Sequence, residues 1–306
     1  MVEKMIKTKD VLTLGELDKK EILAVLDLAI KLKKDFKNGV SKPLLKNKTL
    51  AMIFQKPSTR TRVSFETGMF QLGGHAINLT AQDIQMARGE TIEDTARTLS
   101  RYVDAIVARV YEHSTVEMLA KNASVPVING LSNSFHPCQI LADLMTIKEK
   151  KTKLDGLKLA WIGDGNNVCN SMLYGCAKVG ISVSVATPSG FAPNDKVVRE
   201  CKKLVDVTIT QDPQNAVKDA DIVATDTFVS IHDDPKRLKK FFPKYQVNPS
   251  LMARAKKNAI FMHCLPAKRG QEVTASVIDG KQSVVWDEAE NRLHSQKALL
   301  VSLSNV

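Results

Sequence analysis

Short apolar runs of strand length alternate along this chain with longer stretches in which apolar positions return every three or four residues. Leu23, Val25, Leu26, Leu28, Ala29 and Leu32 predict an amphipathic helix across residues 15–37. LAMIF (50–54) reads as a strand, the stretch up to Gly73-Gly74 as a helix, and HAINLT (75–80) as a second strand, which together make a βαβ unit. DAIVAR (104–109) and VPVING (125–130) are further strand-length runs, with a helical HSTVEMLAKNA between them.

A helix over CQILADLMTIKEKK (138–151), with Ile140, Leu141, Leu144 and Ile147 on its apolar side, gives way to the charged KEKKTKLDG and a new strand, LKLAWIG. The alternation then repeats. A helix passes through MLYGCAKVG, SVSVAT, ADIVATDT, AIFMHCLP and SVVWD read as strands, and DEAENRLHSQKALLVSLSN reads as a closing helix. No internal repeat interrupts this order, so repeat architectures are set aside. The expected fold is α/β, with two α/β domains, each built on a mainly parallel central sheet, joined by interdomain helices. The segments fall at 1–145, 146–285 and a last helix at 286–306.

Composition adds limits. A chain of 306 residues can bury two cores, and contents of 43% hydrophobic and 25% charged residues suit a water-soluble protein. No apolar run approaches the roughly 20 residues that span a bilayer, and the charged start MVEKMIKTKDVLTLGELDKKE lacks the apolar core of a secretory signal. No membrane association and a cytoplasmic location are therefore expected. Five cysteines without a C-x-x-C pair suggest neither a disulfide framework nor a zinc site. The net charge of +11 is spread over KLKKDFK, KEKKTK and KRLKK, with only 5% aromatic residues, which points to attraction for small anions rather than to nucleic acid.

The candidate chemistry sits at strand exits. In FQKPSTRTRVSF (54–65), Ser58 reads as an N-cap and Thr59, Arg60, Thr61 and Arg62 as the first turn of a helix, where backbone N–H groups, hydroxyls and a guanidinium suit a phosphate. An ordinary capped helix with solvated arginines fits the same residues. Arg109 ends DAIVAR, and His136 and Gln139 stand at the head of another helix. GDGNN (163–167) mimics the start of a dinucleotide fingerprint, but the third glycine is missing and the following strand ends without an acid for a ribose. Asn166 and Asn167 could hold a carboxylate or simply cap their helix. Asp226 and Cys264 end two further strands, where a carboxylate and a thiol could orient an amine.

Taken together, STRTR (58–62), RGETIEDTAR (88–97), HPCQ (136–139), GDGNN (163–167), DTFVS (226–230), HCLP (263–266) and ENRLH (290–294) resemble, in order and over nearly the whole chain, the aspartate/ornithine carbamoyltransferase family. HCLP is similar to the ornithine-type members, whereas aspartate-type members carry a Pro-Leu-Pro-Arg segment there. The resemblance implies a carbamoyl-phosphate domain over 1–145, an ornithine domain over 146–285, and a last helix, 286–306, packing back on the first. It implies that Ser58, Thr59, Arg60, Thr61 and Arg109 hold phosphate, that Arg109, His136 and Arg292 surround the carbamoyl oxygen, and that Gln139 receives the carbamoyl amine. Gln85 would reach the phosphate of a neighbouring subunit in a trimer or an assembly of trimers.

On the amine side it implies Asn167, Asp226, Ser230, Ile231, Cys264 and Leu265 as ornithine contacts, with Cys264 and Leu265 also beside the carbamoyl group and a cis Leu265-Pro266 bond. The catalytic set would be Arg60, Arg109, His136, Asp226, Cys264 and Arg292, with no metal and no organic cofactor, in arginine and citrulline metabolism. One departure stands out. The family's Ser-Met-Gly loop reads Ser230-Ile231-His232 here, which removes a permissive glycine. A carbamoyltransferase for another amine such as putrescine, a nicotinamide dehydrogenase and a basic nucleic-acid binder are the rival readings.

Overall fold

A computed structural model describes residues 5–80, 82–85, 89–229 and 234–304. The chain divides into two compact units, residues 1–145 with 290–306 and residues 146–289. No helix among the described residues is long and apolar enough to cross a membrane.

The first unit contains α1 (Lys19–Lys37), β1 (Thr49–Phe54), α2 (Thr59–Gln71), β2 (His75–Thr80), α3 (Ile92–Leu99), β3 (Ala105–Arg109), α4 (His113–Asn122), β4 (Val127–Leu131) and most of α5 (Pro137–Lys151). Its four strands are parallel in the order β2-β1-β3-β4. Leu50, Ala51, Met52, Ile53, Ile106, Val107 and Ile128 are buried, each large side chain contributing roughly 1.5–3 kcal/mol. β1, β3 and β4 are buried along most of their length, which is why they read as near-continuous apolar runs rather than as alternating ones. α1 begins at Lys19 rather than at 15, since Asp18 caps it and Glu21 returns the hydrogen bond in a capping box.

The second unit holds β5 (Lys158–Ile162), α6 (Asn167–Val179), β6 (Ser182–Ala186), α7 (Asp195–Cys201), β7 (Val207–Thr210), α8 (Pro213–Val217), β8 (Ile222–Thr225), α9 (Leu238–Phe241), α10 (Pro249–Met252), β9 (Ile260–His263) and α11 (Ala275–Ile278). Its five strands are parallel in the order β7-β6-β5-β8-β9. Phe228 stacks on Phe241 at 4.8 Å between ring centroids, and Phe191 meets Phe241 edge-on at the same separation.

Two sequence expectations change. SVVWD is not a strand: Ser283 makes an isolated bridge to Phe261, and α12 (Val285–Leu303) begins two residues later with Asp287 and Glu288 in its first turn. Trp286, which a buried strand would have enclosed, is exposed. β7 went unread because VTIT is an edge strand with its two central residues exposed, so it lacks an apolar run.

Each sheet has a switch point. β1 connects outward to β2 on one side while β3 lies on its other side; likewise β5 connects to β6 on one side while β8 lies on the other. The carboxyl ends of strands flanking such a point form the crevice where open α/β sheets receive ligands.

Candidate active site

In the first unit, three adjacent strands empty into the candidate residues. β1 leads into Ser58, whose Oγ accepts from Thr61 N at 3.2 Å and so starts α2 with Thr59, Arg60 and Thr61 in its first turn. β3 ends on Arg109, whose carbonyl accepts from Gln55 N at 2.9 Å, and Gln55 Oε1 accepts from Tyr111 N at 3.0 Å, so the two exits are tied together. β4 leads to His136 just ahead of α5, and Gln139 lies in its first turn. The far end of the chain adds Arg292 from α12, whose Nη2 donates to Thr61 Oγ1 at 3.1 Å and whose Nη1 donates to Gln139 Oε1 at 2.7 Å.

The electrostatics of this cluster are one-sided. His136 is buried, and burial first, then the positive fields of Arg292, Arg109 and Arg60, holds it well below its ordinary value of 6.5. A neutral imidazole among three guanidiniums and an open helix N-terminus can accept a doubly charged anion and donate N–H groups to it. Beside it, burial pushes the Cys138 thiol up to about 12, so it is inert packing. Gln85 is exposed, and among the described residues no hydrogen bond ties its side chain to this cluster.

In the second unit the carboxyl ends of β5, β8 and β9 do the corresponding work. The glycines of GDGNN are explained by packing. A Cβ on Gly163, at φ +126°, would meet the Phe228 ring at 2.8 Å, and one on Gly165 would lie 2.2 Å from Pro193 N. The loop then delivers Asn166, whose Oδ1 caps α6 through Val168 N at 3.0 Å and Cys169 N at 3.1 Å while its Nδ2 donates to Asp226 Oδ2 at 2.7 Å. Asp226 Oδ1 accepts from Cys264 Sγ at 3.2 Å. Asn167 is the first residue of α6, so of the two asparagines the first is the cap.

The HCLP turn is held from below. His263 Nδ1 accepts from Leu265 N at 2.9 Å, and its Nε2 lies 3.2 Å from Glu272 Oε1, both side chains fully buried. Leu265 adopts φ +57° and its bond to Pro266 is cis. Asp226, His263 and Cys264 bring ligand-type atoms within 4.8 Å of one another. Both nitrogens of His263 are already engaged, however, which sets this trio apart from a ready metal centre.

Two family models match the sequence: "Aspartate/ornithine carbamoyltransferase, carbamoyl-P binding domain" over residues 9–149, and "Aspartate/ornithine carbamoyltransferase, Asp/Orn binding domain" over 155–303. The chain belongs to the aspartate/ornithine carbamoyltransferase family. Among its relatives, the ornithine carbamoyltransferase of Cenarchaeum symbiosum is 66% identical over 300 residues, covering 97% of this chain and 99% of that protein. That of Carboxydothermus hydrogenoformans is 56% identical over 302 residues, covering 96% and 97%. The solved ornithine carbamoyltransferase of Pyrococcus furiosus superposes with a TM-score of 0.94 at 53% identity, covering 98% of this chain and 97% of that one.

As a carbamoyltransferase, the chain brings Ser58, Thr59, Arg60, Thr61, Arg109, His136, Gln139 and Arg292 together in one unit, and Asn167, Asp226, Cys264 and Leu265 at adjoining strand ends in the other. Arg292 falls by sequence within the second family match yet belongs to the first compact unit. Ser230 and Ile231 lie outside the described residues. Sequence reasoning missed Asp143, Gln296 and Glu272. Glu272 lies nine residues beyond His263, and no local pattern pairs them; Asp143 could have been found as the i+4 neighbour of Gln139 on a predicted helix.

Proposed function

We propose that the protein transfers the carbamoyl group of carbamoyl phosphate to the side-chain amine of L-ornithine, giving L-citrulline and phosphate. The observation that carries this reading is the neutral, buried His136 set among Arg60, Arg109 and Arg292 at the head of two helices. Carbamoyl phosphate offers such a site a dianionic phosphate, a carbonyl oxygen that becomes an oxyanion, and an amide-like NH2. The segment up to 145, with the last helix, is the carbamoyl-phosphate domain, and the segment beyond 145 is the ornithine domain.

The Ser58–Thr61 turn, Arg60 and Arg109 take the phosphate. Arg109, His136 and Arg292 donate to the carbonyl oxygen, and Gln139 accepts from the carbamoyl amine. On the amine side, Asn167 and Asp226 hold the amino-acid end of ornithine, while Cys264 and the Leu265 carbonyl orient its side-chain nitrogen; Ser230 and Ile231 complete that contact set.

The neutral amine nitrogen attacks the carbonyl carbon and its electron pair forms the new C–N bond. The carbonyl becomes a tetrahedral oxyanion, which collapses as the C–O bond to phosphate breaks with its electron pair leaving on the phosphate oxygen, and the proton shed by the amine is balanced by protonation of the released phosphate. Carbamoyl phosphate already carries a good leaving group, so positioning and charge stabilisation supply the rate, and one well-placed donor is worth about 100- to 1000-fold. The subunits act as a trimer or as assembled trimers, with the exposed Gln85 reaching a neighbour's phosphate; exposed Val63 and Phe70 on α2 and Ile77 on the edge strand β2 support this reading.

A different amine is the second reading, favoured by Ser230-Ile231-His232 in place of Ser-Met-Gly. Purified protein given carbamoyl phosphate and ornithine should release citrulline and phosphate in equal amounts. Binding of carbamoyl phosphate with no citrulline formed would keep the first half of the assignment and overturn the second.

A further inference from the structure

Beneath the arginine cluster, Gln139 is gripped by two groups of opposite demand. Its Nε2 donates to Asp143 Oδ1 at 2.8 Å while its Oε1 accepts from Arg292 Nη1 at 2.7 Å. All three side chains are buried, with Gln139 at 1%, Asp143 at 2% and Arg292 at 3% exposure. Gln139 and Asp143 are four residues apart on α5, so the helix itself holds the pair in register. Arg292 is fixed in turn, because its Nε donates to Gln296 Oε1 at 2.9 Å and Gln296 Nε2 donates to Ser64 Oγ at 2.8 Å.

The amide therefore has one sense. Turning it over would set its oxygen against a carboxylate, which offers only acceptors, and its NH2 against a guanidinium, which offers only donors. Two hydrogen bonds would become two repulsive contacts in a low-dielectric interior, where such contacts weigh most.

We propose that Asp143 is a positioning residue that presents the carbonyl oxygen of Gln139 to the ligand, so that the site selects a carbamoyl phosphate over an acyl phosphate lacking N–H. This rests on the reading of Gln139 as the partner of the carbamoyl amine. An amide oxygen accepts two hydrogen bonds, so Gln139 can answer Arg292 and a ligand N–H together. Against a methyl group, as in acetyl phosphate, that oxygen faces a surface with nothing to donate, and sites built to hydrogen-bond an N–H reject analogues without one.

The test uses two stable phosphonates that differ only in NH2 against CH3: phosphonoacetamide and acetonylphosphonate. Calorimetric binding of each to the wild type should favour the amide by roughly tenfold or more, the worth of one buried hydrogen bond. Asp143→Ala should narrow that preference, chiefly by weakening the amide analogue, with binding of inorganic phosphate retained, whereas Asp143→Asn, whose Oδ1 still accepts from Gln139, should keep most of it. In a Gln139→Met background, where the preference is already lost, Asp143→Ala should change it no further. A preference within about twofold of wild type in Asp143→Ala would overturn the proposal, and Asp143→Leu, which likewise offers no acceptor, decides if Asp143→Ala does not fold. A wild type that binds both analogues equally also overturns it. A wild type that binds neither overturns the carbamoyl-phosphate reading itself.

Discussion

The thiol of Cys264 donates to Asp226 Oδ1 at 3.2 Å, and Asn166 Nδ2 donates to Oδ2 of the same carboxylate at 2.7 Å. The exits of three neighbouring strands, β5, β8 and β9, are thereby tied to one acid. Asn166→Ala removes both the helix cap and this tether. It is expected to cost about 1 kcal/mol of stability from the cap. It should also raise the KM for ornithine roughly tenfold through the misplaced Asp226, with the KM for carbamoyl phosphate unchanged. Steady-state kinetics with each substrate varied in turn, and a melting curve, check both parts.

Arg60→Ala leaves the Ser58 cap and the buried side of α2 in place, so the fold should persist. Turnover is expected to fall by at least about 100-fold, since the proposed mechanism makes Arg60 a charged donor to the departing phosphate. Near-normal turnover by a folded variant would remove Arg60 from the site.

His136 gives stability a defined pH dependence. Its folded value lies well below 6.5, through burial first and then the three neighbouring arginines. Unfolded, it titrates near 6.5, so below that pH the unfolded chain binds the extra proton and stability falls as pH drops toward the folded value. Above about 6.5 both states are neutral and nothing is lost. Comparing His136→Gln with the wild type should therefore leave the melting-temperature difference level from about pH 7.5 to about 6.5 and shift it in the variant's favour from there down to about pH 5. A difference that does not move with pH contradicts this.

Glu272→Ala strips the buried His263 of its Nε2 partner and loosens the turn that carries Cys264 and Leu265. The expected cost is about 1–3 kcal/mol of stability. The KM for ornithine should rise while the affinity for carbamoyl phosphate holds, a split that isothermal binding of each substrate would reveal. Equal loss of both would make Glu272 a general stability residue.

Much of this was legible where the signal is local. The strand-to-helix exit at Ser58, the arginine ending β3 and the Asn166 cap each rest on a few consecutive residues, and capping and strand-end rules read them directly. What escaped was made by contacts across the sequence. Arg292, which meets Gln139 from 153 positions away, was reached only through the family resemblance; the Glu272 that steadies His263 follows an irregular turn and was missed. SVVWD misled for the opposite reason. Its apolar residues mimic a strand, yet the acidic pair Asp287 and Glu288 suits a helix start, and α12 begins at Val285.

The most direct measurement offers ornithine, putrescine and aspartate together, at equal concentrations, to the purified protein with carbamoyl phosphate labelled at the carbonyl carbon. The expected result is label in citrulline almost alone, with one phosphate released per citrulline. Label in the carbamoylated diamine or in carbamoyl-aspartate, or phosphate released with no labelled amine product, would contradict the assignment.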